Sequence, residues 1–207
     1  MKQSASAKRF PVRSLVLAAV LSAVAFLLMF VDFSIPALIP SFIKMDVSDL
    51  CALLGSFLLG PVWGIAISAM KNILILLLKG TTTAFVGEAS NFILGAVFSF
   101  VGGLVYRKLQ PRGALRASLL GGFCGAAAMA LCSVPSNYFL VYPAYEAFYH
   151  LPMDAIIGMY RAILPAANTL LRCLVIFNLP FTLCKGLIDA ALCAALCRPL
   201  RFLLQKK

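Results

Sequence analysis

Few residues of this chain can do chemistry, and most of them lie in apolar surroundings. Residues 71–91 read KNILILLLKGTTTAFVGEASN. Lys71 and Asn72 sit inside an apolar run, Gly80-Thr81-Thr82-Thr83 breaks it, and Glu88 and Asn91 follow at i and i+3, on one helical face. Further on, SNYFLVYPAYEAFYH (136–150) brings Asn137 with Tyr142 and other aromatics, and FNLPFTLCKGLID (177–189) brings Thr182, Lys185 and Asp189 beside Pro180. These are hydrogen-bonding groups, not a reaction centre. There is no phosphate loop of the GxxxxGK[ST] type and no recognisable nucleophile–base setting. The single histidine, His150, has no partners at ligand spacing, and the seven cysteines form no CxxC pair, which argues against a metal site. The chemistry on offer is recognition of a small molecule with a polar edge. The competing possibility is interhelical glue: Lys71 could pair with Glu88, and Lys185 with Asp189 one turn later.

The elements that must position these groups are membrane helices. Of 207 residues, 62% are hydrophobic and 12% charged, with a mean hydropathy of +0.99. A soluble domain is about a quarter charged. An all-α bundle in a single domain is expected, because backbone groups in lipid must be satisfied within each segment. Six apolar segments are legible: Val12–Val31, Val47–Leu59, Pro61–Leu78, Glu88–Leu109, Ala114–Phe139 and about Leu170–Leu196. The second is short, and fusing it with the third across Gly60-Pro61 would give five.

Charge favours six. Twelve of the 18 Lys and Arg precede the first segment, surround Arg112 or end the chain, and none of the seven acids lies there. The positive-inside rule then places both termini in the cytoplasm, so the number of spans is even. Residues 1–11 become a cytoplasmic basic tail, 32–46 an apolar, lid-like outer connection, and 141–165 a second outer loop. The net charge of +11 brackets apolar spans instead of forming a basic face, which argues against nucleic-acid binding. The first segment carries two offset small-residue series, Ala18-x-x-x-Ser22 and Ala19-x-x-x-Ala23, either of which would let another helix approach closely.

The succession FIKMDVSDL, GPVWGIAISAMKN, GTTTAFVGEASNF, SNYFLVYPAY and FNLPFTLCKGLID resembles the riboflavin-specific S components of energy-coupling factor (ECF) transporters, from about Leu17 to the end. The resemblance implies a six-helix protein of a prokaryotic plasma membrane that captures riboflavin from outside and is not an enzyme. It implies partners too: a transmembrane T component and two cytoplasmic ATPase subunits. The family's docking alanines fall on Ala19 and Ala23. Its flavin-binding glutamate, asparagine and lysine fall on Glu88, Asn137 and Lys185. Thr182 stands where many relatives have asparagine, Ile75 where many have histidine, and Cys51 where many have proline.

The chemistry of the vitamin suits the residues. A flat isoalloxazine ring would stack on an aromatic such as Tyr142 and bury against Met45. Its pyrimidine edge suits Asn137, Thr182 and Lys185, and the ribityl hydroxyls suit Glu88, Asn91 and the threonine turn with Thr82. Lys71 and Asn72 complete the candidate site. The same scaffold could serve another vitamin or heterocycle, and a purely structural membrane protein would use these residues as glue alone.

Overall fold

A computed structural model describes residues 12–34, 39–40, 43–81, 83–150 and 152–200. The basic tail 1–11, Thr82 and parts of the 32–46 connection lie outside the described residues. The described residues form nine α-helices: α1 Val12–Leu28, α2 Asp49–Leu58, α3 Pro61–Leu78, α4 Val86–Leu109, α5 Ala114–Ser136, α6 Tyr142–Tyr149, α7 Met153–Ile163, α8 Leu170–Cys173 and α9 Leu179–Leu200. The described residues contain no strand, only an isolated antiparallel bridge between Phe33 and Met45.

Among the described residues, four continuous helical stretches are long and apolar enough to cross a membrane: Pro61–Leu78, Val86–Arg112, Ala114–Phe148 and Leu170–Cys197. α1, at 17 residues, falls a little short, and α2 has only 10. At 1.5 Å per residue α2 is about 15 Å long, half a bilayer core. It does not fuse with α3. Gly60, at φ 123°, supplies a backbone angle that L side chains rarely adopt, and Pro61 opens α3 without needing its missing N–H. The chain folds back on itself there, so that Gly64 faces Ser56 and Gly55 faces Ile67. Arg107, in the last turn of α4, donates to the Leu59 carbonyl at 3.0 Å and fixes this turn near the basic end of the bundle. The N-terminus of α2 therefore lies midway along α3, beside Lys71. The connection before α2 must dip into the bundle to reach it.

Close approach of helices rests on small residues. A Cβ on Gly125 would meet the backbone carbonyl of Phe98 at 2.6 Å, and one on Gly121 that of Gly102 at 2.8 Å. Backbone cannot swing aside as a side chain can, so α4 and α5 would have to separate. Gly125→Ala is expected to cost about 1–3 kcal/mol, the range for overpacking a tight core. Thermal unfolding in detergent would read this as a lowered midpoint, and an unchanged midpoint would show the contact to be slack. Around this seam Leu53, Phe57, Ile67, Phe98, Tyr106 and Met129 form the main core, with the Phe57 and Tyr106 rings stacked at 4.3 Å. Leucines such as Leu27, Leu77 and Leu131 point outward, more than half exposed, as a lipid-facing surface requires.

Two π-helical turns interrupt the long stretches, Asn137–Val141 after α5 and Leu174–Asn178 before α9. Each ends two residues before a proline, Pro143 and Pro180. A proline ring collides with the carbonyl four residues earlier, here Phe139 and Ile176, each at the middle of a π turn. Widening the helix moves that carbonyl aside without ending the helix. Both π turns carry an asparagine into the interior, Asn137 at the start of one and Asn178 at the end of the other.

Candidate functional site

Opposite the basic end of the bundle, the start of α4, the end of α5 with its π turn, the start of α9 and residues 43–49 enclose a cavity of about 310 Å3. That is at the lower end of the about 300–1,000 Å3 usual for small-molecule sites. Its lining includes Glu88, Asn91, Asn137, Tyr142, Thr182 and Lys185, so six of the candidate residues come together. Lys71, Asn72 and Met45 are buried but do not line it, and Thr82 lies outside the described residues. Ile75 also lines it.

Both pairings considered from the sequence are corrected. Lys71 is fully buried and donates to Asp49 Oδ1 and Ser48 Oγ, each at 2.6 Å, not to Glu88. Lys185 turns away from Asp189 and bridges Asp46 Oδ2 and Asp49 Oδ2, each at 3.1 Å. The reason is the half-length α2, which places Asp49 between the two lysines at mid-depth. Asp46 accepts from the Ser48 backbone N–H at 2.9 Å and from its hydroxyl, which closes the turn into α2. Burial would raise the Asp46 carboxyl, but the Lys185 and Lys71 ammoniums outweigh it and hold it well below the usual carboxylate range. An ammonium has three N–H donors. Lys185 spends two on Asp46 and Asp49, which leaves the third for the cavity that it lines.

Glu88 is held by the threonine turn. Thr81 and Thr83 donate to its Oε2 at 3.1 and 3.2 Å, and the Thr83 hydroxyl accepts from the Gly87 N–H in the first turn of α4. Oε1 takes no part in these bonds. Ala84 and Phe85 have φ of 49° and 68°, a left-handed pair that side chains seldom adopt, and the Thr81 oxygen accepts from the Phe85 N–H at 2.9 Å to hold the turn. Among the described residues, the side chains of Asn91, Asn137 and Thr182 have no protein partner. Their donors and acceptors are open to a ligand.

Several participants were not foreseen. Asp46, Asp49, Asn178 and Lys79 line the cavity as well. Asn178 belongs to a closed ring of hydrogen bonds. Its Nδ2 donates to the Tyr142 hydroxyl at 3.2 Å, the two tyrosine hydroxyls meet at 2.6 Å, and Tyr160 donates to Asn178 Oδ1 at 2.6 Å. The only sequence signal for it was the aromatic density of 138–149, which did not reach Tyr160 on α7. On α1 the two small-residue series separate cleanly. Ala18 and Ser22 are buried against the bundle, while Ala19 and Ala23 are exposed among Val16, Val20 and Val24.

Such an arrangement, a helical membrane bundle with a polar-edged cavity at one end, defines a membrane-embedded binding protein. The comparisons with known proteins agree. The family model described as "ECF transporter, substrate-specific component" matches residues 13–197. The chain is 34% identical over 178 residues to the riboflavin transporter FmnP of Bacillus subtilis, covering 86% of each protein. It is 32% identical over 178 residues to the riboflavin transporter RibU of Staphylococcus aureus, covering 85% of this chain and 84% of that one. A solved structure, titled as the S component of a bacterial ECF transporter, superposes with a TM-score of 0.69 at 28% identity, covering 94% of this chain and 98% of that one. The chain belongs to the family of ECF transporter substrate-specific components.

Proposed function

We propose that the chain captures riboflavin at the outer face of a prokaryotic cell membrane and delivers it by docking on a T component driven by two ATPase subunits. The observation that carries this reading is the convergence of Glu88, Asn91, Asn137, Thr182 and Lys185, from three separate helices, on one cavity. The Asn137 amide, the Thr182 hydroxyl and the third N–H of Lys185 offer donors and acceptors to the carbonyls and N–H of the pyrimidine edge. Glu88 Oε1 and Asn91 receive ribityl hydroxyls, and Tyr142, Leu94 and Met129 supply apolar lining for the ring. Hydrolysis is left to the partners. In the topology proposed here α1 and the short α2 count as membrane segments, giving six, with both termini in the cytoplasm. The cavity then opens outward, since Arg107, Lys108, Arg112 and Arg116 mark the opposite end as cytoplasmic.

Charge lining the cavity supports a neutral ligand. Lys44, Lys79 and Lys185 face Asp32, Asp46, Asp49 and Glu88, three cations against four carboxylates. Lys44 is bound to Asp32 at 2.6 Å, and Lys185 to Asp46 and Asp49. A phosphate adding about −1.5 to −2 charges would enter a field with no surplus of positive charge. Riboflavin is expected to bind more tightly than FMN by roughly tenfold or more, about 1.4 kcal/mol. Titrations of both against the purified protein measure the ratio, and equal affinities would contradict the charge argument. The test of the function itself is the absorbance spectrum of protein purified from cells. Bound oxidised flavin is expected. A colourless preparation that also fails to bind added riboflavin would overturn the assignment.

A further inference from the structure

Asp189, on α9, is fully buried, and among the described residues neither of its carboxylate oxygens has a hydrogen-bond partner. An ionised carboxylate left so is heavily penalised. Its natural partner is Lys185, one helical turn earlier, but that ammonium is committed to Asp46 and Asp49. The titratable groups around Asp189 are Asp46 just before α2, Asp49 and Cys51 in the first turn of α2, Lys71 from α3, and Lys185 and Cys193 on its own helix. α5 packs on this part of α9 with Gly122, Ala126 and Met129, which do not titrate. With Asp189 ionised, three carboxylates would share two ammoniums. With Asp189 protonated, two face two.

We propose that Asp189 is a proton-binding site and the second partner of Lys185, protonated while Asp46 is seated and ionised when Asp46 withdraws. Asp46 precedes α2 in the connection that closes over the cavity, whereas Asp49 is fixed at the start of α2 against Lys71. When residues 43–48 lift, Asp46 passes into water and Lys185 loses one acceptor. The Asp189 O–H bond then breaks, its proton goes to water in the opened cavity, and the new carboxylate accepts an N–H from Lys185. Each buried ammonium keeps one carboxylate in both states: Lys71 with Asp49, and Lys185 with Asp46 or Asp189. Seating Asp46 runs the step backwards and takes up one proton. Closing over the substrate is thus accompanied by protonation, and binding weakens as the pH rises. This linkage rests on reading the cavity as the substrate site. The protonated acid does not.

Infrared spectroscopy of protein carrying isotope-labelled aspartate tests the acid directly at neutral pH. A protonated-carboxyl band is expected, because the other described aspartates are paired with lysine or exposed, and it should vanish in Asp189→Asn. No such band in the wild type would overturn the proposal even if the variant failed to fold, and so would a band that survives the substitution. Riboflavin titrations between about pH 6 and 8, where Asp46 stays ionised, test the linkage. The wild type should lose affinity as pH rises, by up to about tenfold per pH unit, and Asp189→Asn should not. The same slope in both would overturn the linkage. Failure of riboflavin to bind at all would sink the substrate reading while leaving the infrared result to decide the acid.

Discussion

Replacing Lys185 with alanine is expected to weaken riboflavin binding by about 2–5 kcal/mol, the range found for binding when one partner of a buried, hydrogen-bonded charge pair is truncated. Loss of a single charge-assisted hydrogen bond would account for only about 1.5–3 kcal/mol. The larger figure follows from the geometry. The Lys185 side chain is 12% exposed and bridges Asp46 and Asp49, themselves 11% and 1% exposed. Without it, two buried carboxylates depend on Lys71 alone, and the stretch 43–48, which contributes Ile43, Lys44 and Asp46 to the cavity lining, loses its tie to α9. Titration by quenching of flavin fluorescence gives the affinity, and thermal unfolding of the same protein shows how far the fold is affected. Affinity within about 0.5 kcal/mol of the wild type, the spread of neutral surface changes, would remove Lys185 from the site.

Ala19→Trp is expected to abolish riboflavin uptake into cells while leaving binding to the isolated protein unchanged. Ala19 and Ala23 form a small-residue strip on the exposed face of α1, and an indole there would hold a partner helix away. The same substitution at Ala18, which is 7% exposed, should instead disturb the bundle, since that residue packs with Leu21 and Ala25 in the core. The contrast separates docking from folding. Uptake that survives Ala19→Trp would mean that the T component meets another face.

What could be read in advance followed from local pattern. The long apolar segments and the break at Gly60-Pro61 correspond to α3, α4, α5 and α9 and to the turn that opens α3. The polar residues that line the cavity stood out because Glu88 and Asn91, or Thr182 and Lys185, share a face within otherwise apolar helices. Ion pairing was not legible, because it depends on depth. α2 stops halfway through the bundle, and only that length sets Asp49 beside Lys71 and draws Asp46 inward to Lys185. Sequence spacing favoured the i,i+4 Lys185–Asp189 pair, which the nearer bridge displaces. Asn178 and Tyr160 were hidden for a related reason. The π turn before Pro180 rotates Asn178 out of α-helical phase, and Tyr160 reaches it from a helix 18 residues earlier. Both small-residue series on α1 were visible, but which one faces outward is decided by α2 and α3, not by α1.

The structure of the protein with riboflavin bound would test the central claim most directly. The flavin should lie in the cavity between α4, α5 and α9, its pyrimidine edge against Asn137, Thr182 and Lys185 and its ribityl chain toward Glu88. A flavin bound elsewhere on the bundle, or seated in the cavity without touching those side chains, would contradict the account.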